Sequence, residues 1–141
     1  IEPVKPNYDY IIVDCPPSLS LLTLNALCAS TSVLIPLQSE FFALEGLSQL
    51  LDTVKRVKSS VNSSLKIKGI LFTMFDKRTN LANNVVEDAE KYFKNLVFNT
   101  RIPRNIKLGE APSYGMSVIT YDRASKGSKS YLEFAREFLE R

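Results

Sequence analysis

Three short runs of apolar, largely β-branched residues constrain this chain more than any other feature: Tyr10 to Asp14 (YIIVD), Ser32 to Pro36 (SVLIP) and Ile67 to Thr73 (IKGILFT). Each is continuous rather than alternating. A strand with one wet face alternates apolar and polar residues, so an unbroken run predicts a strand covered on both faces, the usual condition of a central parallel strand. Between the runs the period changes. Leu44, Leu47, Leu50, Leu51, Val54, Val57 and Val61 recur at three- and four-residue steps, which predicts one amphipathic helix over residues 41–62. Leu81, Val85, Ala89 and Phe93 repeat that spacing, and a first helix is expected near residues 20–29. Residues 97–102 and 117–121 predict further strands. A last helix at 124–140 is expected to turn Tyr131, Leu132, Ala135, Phe138 and Leu139 inward. This alternation predicts an α/β fold with a mostly parallel sheet flanked by helices and right-handed crossovers.

Composition bounds the possible chemistry. A chain of 141 residues with 45% apolar content is long enough to bury a core, and no repeat or low-complexity linker divides it, so residues 1–141 predict a single domain. The net charge is +3, from 18 basic and 15 acidic residues, which is mildly basic and far short of a nucleic-acid-binding tail. There is no histidine, and the two cysteines, Cys15 and Cys28, form no CxxC pair. A zinc site and a histidine-based triad are therefore excluded, and the cysteines read as reduced intracellular thiols. No apolar stretch reaches the roughly 20 residues that span a bilayer, and the opening residues lack a signal-peptide pattern. A soluble, cytoplasmic protein is expected.

The carboxylate that ends the first apolar run needs a reason. In open parallel sheets, ligands gather beyond the carboxyl ends of the strands, and Asp14 is expected to be the last residue of such a strand. A carboxylate there can hold Mg²⁺ directly or through water, because Mg²⁺ keeps several waters and binds through one or two carboxylates plus phosphates. Four apolar residues followed by Asp is the pattern of a Walker B strand. Taken alone, a strand-terminal Asp is more often a turn or helix cap. The next residues, Cys15-Pro16-Pro17-Ser18, lose two backbone donors and have φ fixed twice. They predict a stiff, extended exit that sets a distance from the carboxylate.

The segment YDYIIVDCPPSLSLLTLNAL at 8–27 resembles the ParA/Soj-type chromosome and plasmid partition ATPases, of the deviant Walker A branch of P-loop proteins. Three further resemblances follow in the same order: VLIPLQSEFFALEGLSQLL at 33–51, GILFTMFDKRTNLANNVVEDAEKYF at 69–93, and TRIPRNIKLGEAPSYGMSVITYDRASKGSKSYLEFAREFL at 100–139. Together they cover nearly the whole chain. The family's phosphate-binding loop, a KGGxxKT-like segment, has no counterpart, since the five glycines lie at 46, 69, 109, 115 and 127. The resemblance thus implies the C-terminal part of a P-loop NTPase-like domain, with the N-terminal part of the fold missing. Phosphoryl transfer rests on positioning and charge stabilisation. The full-length parent is accordingly expected to be an ATPase using ATP and Mg²⁺, and this portion alone to be inactive.

The resemblance also assigns residues. Asp14 matches the Walker B aspartate, assisting Mg²⁺ through water. Pro103 and Asn105, in IPRN, match the stretch that contacts adenine, and Thr73 and Met74 are expected to wall the same pocket. Partition ATPases of this kind dimerise around ATP, bind DNA without sequence preference and work with a ParB-like centromere-binding protein. The candidate DNA contacts are Lys77, Arg78, Lys107, Lys126 and Lys129, and Lys107 stands where an arginine is common, keeping the charge but losing the fork. Glu40 and Glu45 are given no catalytic role. A nucleoid-associated cytoplasmic location follows. Two alternatives are a MinD-like membrane-cycling ATPase and a non-catalytic interaction module of the same fold. The ending YLEFAREFLER balances acids against bases, unlike a basic membrane-surface helix, so no membrane partner is expected.

Overall fold

The structure, a computed structural model, describes residues 1–16, 18 and 20–141. The chain folds as two compact units, the first formed by Ile1–Val33 and Ser48–Ile67, the second by Leu34–Leu47 and Lys68–Arg141. Strands β1 (Ser32–Gln38) and β2 (Lys66–Thr73) are hydrogen-bonded neighbours in a two-stranded sheet. Each begins in the first unit and ends in the second, as the helix between them, α2 (Ala43–Ser60), does in reverse.

In the first unit, α1 (Leu21–Ala29) precedes β1, and the core gathers Leu27, Val54, Val57 and Leu65, with Leu24, Val33, Leu50 and Ile67 packed on it. Leu50, Val54 and Val57 reach this core because their three- and four-residue spacing puts them on one stripe of α2. Helix ends leave unpaired carbonyls, and at α1 a single side chain takes them up. Asn62 Nδ2 donates to the carbonyls of Leu27, Cys28 and Ser30 at 3.0, 3.2 and 2.8 Å. Val61, expected on the inner stripe, lies beyond the helix and is exposed.

Tyr10 to Asp14 do not form the expected strand. Residues 10–16 have no regular structure, and Ile12 is 89% exposed. A strand exists only through its ladder, and among the described residues none pairs with this run as a ladder. Of the stiff exit predicted after Asp14, Pro17 lies outside the described residues.

In the second unit, β2 buries Ile70, Leu71 and Phe72, and is followed by α3 (Asn80–Phe93), which buries Ala82, Val85, Val86 and Ala89. Short helices α4 (Ile106–Glu110) and α5 (Val118–Tyr121) lead to α6 (Lys126–Glu140). Residues 97–102 run parallel to β2 without becoming a strand. They touch it through the isolated bridge of Ile70 with Val97, and through Phe98 N to Ile70 O at 2.9 Å and Ile102 N to Phe72 O at 2.8 Å, and a second bridge, Phe75 with Pro103, joins the residues that follow each. Residues 117–121 form a helical turn instead of a strand. Ser117 Oγ caps it by accepting from Thr120 N at 3.2 Å, and an apolar run this short fits either state.

The core of this unit joins Leu71, Phe98 and Ile102 to Leu34, Leu108, Tyr131, Phe134 and Phe138. The inner face of α6 is therefore set by Tyr131, Phe134 and Phe138. Ala135 and Leu139 are exposed, against expectation, because the Phe134 ring packs edge-on against Phe98 at 5.0 Å and fixes the helix's rotation. Among the described residues, no helix is long and apolar enough to cross a membrane.

Candidate functional site at the carboxyl ends of the strands

Within the second unit, the chain leaves β1 at Gln38 and β2 at Thr73, and a cleft of about 230 Å³ opens between the segments that follow. Gln38, Ser39 and Glu40 line it from the β1 side, Met74, Asp76 and Thr79 from the β2 side, with Ala82 of α3 and Arg104 completing the wall. The geometry starts at Met74, whose φ of 50° lies in the left-handed region that few non-glycine residues adopt. That turn sends Phe75 alongside the Ile102–Arg104 segment. Phe75 N donates to Ile102 O at 3.0 Å and Arg104 N to Phe75 O at 3.2 Å, so two loops are tied into one floor.

The charges are sharply placed. Asp76 Oδ1 accepts from Arg78 N at 3.0 Å and Arg78 Nε at 2.9 Å, and Oδ2 accepts from Arg78 Nη2 at 2.7 Å. These bonds, led by the Arg78 side chain, hold the Asp76 carboxyl down to about 2. Thr79 Oγ1 closes the same turn on Asp76 O at 3.0 Å. Among the described residues, Arg104 has no ion-pair partner.

Of the residues expected to contact a nucleotide, Met74 lines the cleft, while Thr73 and Pro103 are half-buried beside lining residues. Asn105 caps α4, its Oδ1 accepting from Lys107 N at 3.0 Å, which leaves its amide hydrogens as the groups free to read a ligand. Asp14 belongs to the first unit, exposed on the irregular segment. Asp76, Arg104, Gln38, Ser39 and Thr79 were not singled out by sequence, and Glu40 was named only as a residue without a catalytic role. The usable signal was position: all lie within a few residues of a strand end or in the IPRN stretch.

The basic candidates fall into two groups. Arg78, with its side chain 84% exposed, is paired with Asp76, and Lys107 Nζ donates to Glu110 Oε2 at 2.8 Å, beneath the Tyr121 ring whose hydroxyl donates to the same oxygen at 3.1 Å. The Glu110 hydrogen bond raises the Lys107 ammonium, and the reciprocal bond from Lys107 lowers the Glu110 carboxyl. Lys77, in the β2–α3 loop, and Lys126 and Lys129, at the start of α6, are exposed and form no ion pair among the described residues.

A crevice beyond the carboxyl ends of strands is where open α/β sheets take their ligands. The same architecture occurs in the solved structure of cobyrinic acid a,c-diamide synthase from Mycobacterium smegmatis with bound ADP and magnesium, at a TM-score of 0.78 and 36% identity, covering 98% of this chain and 49% of that one. Fold and cleft thus define an α/β protein of the P-loop NTPase class. A family model described as an AAA domain matches residues 1–67. The sporulation initiation inhibitor protein Soj of Bacillus subtilis is 58% identical over 97% of this chain and 54% of its own, and the chromosome partitioning protein ParA of Myxococcus xanthus is 57% identical over 100% and 50%. The chain belongs to the ParA/Soj family. It spans about half the length of the curated relatives it matches.

Proposed function

We propose that this chain is the carboxyl-terminal part of a ParA/Soj-type partition ATPase, its two units belonging to one ATPase domain. The reading rests chiefly on the strand-end cleft, where the loop after β2 is tied to the IPRN stretch. Ligand pockets usually measure about 300–1,000 Å³, so a cleft of about 230 Å³ suits part of a nucleotide rather than the whole. The base is the part that fits. Met74 in the cleft and Pro103 beside it offer apolar surface and the Asn105 amide offers donors to the base, while Arg104, with no ion-pair partner among the described residues, offers a fork for a phosphate oxygen.

Mg²⁺ would be held through water by Asp14, and when bound it supplies neutralisation of the β- and γ-phosphate oxygens. The rest of the phosphate cradle is expected in the part of the relatives this chain does not span, so hydrolysis belongs to the longer protein. ATP-dependent dimerisation would then gather Lys77, Arg78, Lys107, Lys126 and Lys129 into a surface for duplex DNA, with phosphate contacts and no base readout. This suits segregation of chromosomes or plasmids on the nucleoid in the cytoplasm, with a ParB-like partner.

Equilibrium binding of a fluorescent ATP analogue with Mg²⁺ tests the reading, on this chain and on the polypeptide extended by its natural upstream residues. Binding by the longer polypeptide alone is the expected result. Tight binding by the short chain would overturn the divided site.

A further inference from the structure

Arg101 lines no wall of the cleft, yet it holds the residue on which the cleft's floor turns. That residue is Phe75. Its amide donates to Ile102 O, its carbonyl accepts from Arg104 N, and it bridges to Pro103, so its backbone fixes the lining residues on either side of it, Met74 and Asp76, against the IPRN stretch. The ring is held separately. Phe75 is only half-buried, and the Arg101 guanidinium carbon lies over its ring, 5.2 Å from the centroid, within the roughly 6 Å at which a cation is drawn to an aromatic face. Arg101 is anchored in turn by α3, its Nη2 donating to Glu90 Oε1 at 2.6 Å. Its Nε is buried and has no hydrogen-bond partner among the described residues. An unpaired buried donor costs stability, so a guanidinium that accepts that cost is held in plane by its other contacts, the carboxylate and the ring.

We propose that Arg101 is a positioning residue for the base end of the nucleotide site, keeping Phe75 seated so that Met74 stands at a fixed distance from Pro103 and Asn105. The proposal rests on the nucleotide reading above and adds to it a residue that touches no ligand. Arginine suits the task because one planar group serves both contacts: its edge meets the Glu90 carboxylate while its face covers the ring. Lysine would bring the charge without the plane. With the guanidinium gone, the Phe75 ring loses its cover, and the floor loosens where the two loops are joined through Phe75 by two backbone hydrogen bonds. A base gains less from a floor that moves.

Equilibrium binding of a fluorescent ATP analogue with Mg²⁺ to the full-length protein, with unlabelled ATP and inorganic tripolyphosphate as competitors, tests this. The ratio of the two competitors' affinities isolates what the nucleoside contributes, since any phosphate contact, that of Arg104 included, is common to both and cancels. R101M keeps an unbranched apolar stem and loses both charge and plane. It is expected to lower the ratio about two- to five-fold, the range of an exposed cation–π contact. In F75L, which lacks the ring, adding R101M must lower the ratio no further, as a double-mutant cycle on one contact requires. If R101M does not fold, R101K carries the same comparison, and the ratio is again expected to fall. A ratio unchanged in the Arg101 variant, or one that R101M still lowers in F75L, overturns the role of Arg101 and leaves the nucleotide reading standing. Wild-type protein that binds tripolyphosphate as tightly as ATP, or binds neither, overturns both.

Discussion

Gly69 lies where β2 and the segment that follows α3 leave no room for a side chain. A Cβ there would lie 2.4 Å from Phe98 Cε2 and 2.8 Å from the Leu96 carbonyl oxygen, and neither can retreat, since Phe98 is buried under Phe134 and the oxygen is backbone. Gly69→Ala is accordingly expected to destabilise the protein by about 1–3 kcal/mol, the cost of overpacking a filled core. Gly46 is the contrast, an exposed position in α2 with nothing within 4 Å of the added carbon. Gly46→Ala should stabilise by about 0.5–1 kcal/mol through helix propensity and a less free unfolded chain. Urea titrations with unchanged slopes would read both, and a neutral Gly69→Ala would sink the packing account. At this scale sequence reasoning worked unevenly. Met74 was legible as a strand-end residue, whereas the Asp76–Arg78 pair was not, because a carboxylate two residues from an arginine pairs only where a turn brings them together.

The C-terminal turn of α6 does for residues 95–100 what a neighbouring strand would have done. Glu137 accepts from the amides of Asn99 and Thr100, both at 2.8 Å, while Arg141 donates to the carbonyls of Asn95 and Val97 at 3.1 and 2.8 Å and covers the Phe98 ring. That is why a run readable as a strand stays a bridged segment: side chains satisfy its outer edge, and no periodicity announces them. Burial alone would raise the Glu137 carboxyl, but the Thr100 and Asn99 amides and the Arg141 charge outweigh it and hold it below the ordinary range. A carboxyl lowered in the folded state contributes stability above its unfolded value, near 4.3, and that contribution is lost as pH falls through the folded value. Glu137→Gln should therefore cost about 1–2 kcal/mol at neutral pH. Its deficit against wild type should begin to shrink near pH 5 and close at lower pH, and a deficit independent of pH in thermal melts would refute the assignment. The helices were the most legible elements, since α2 and α3 bury most of the stripes their spacing predicts, although Val61, beyond the end of α2, and Leu81, in the first turn of α3, are exposed. The rotation of α6 was legible only in part: Tyr131 and Phe138 turn inward as expected, but Phe134 joins them on the core while Ala135 and Leu139 stand exposed.

At the scale of the molecule, the most telling disagreement is that YIIVD is written as a buried strand and stands exposed. The same residues that made the α/β fold legible in β1 and β2 fail at Tyr10–Val13 because hydrophobic patterning specifies which face wants cover, not whether a partner is there to give it. Ile12, Tyr10 and Val13 thus present exposed apolar side chains on a run that no ladder covers among the described residues, the combination that invites strand addition between chains. If the partners lie in the half of the relatives that this chain does not span, adding the upstream residues should convert this run into an inner strand. The extended polypeptide is then expected to melt at higher temperature, to lose binding of a dye that reports exposed apolar surface, and to show amide protection at Ile11–Val13. A short chain that melts cooperatively at or above the temperature of the longer one, with those amides already protected, would mean that the run finds its cover by another route, and the divided nucleotide site would lose its structural basis with it.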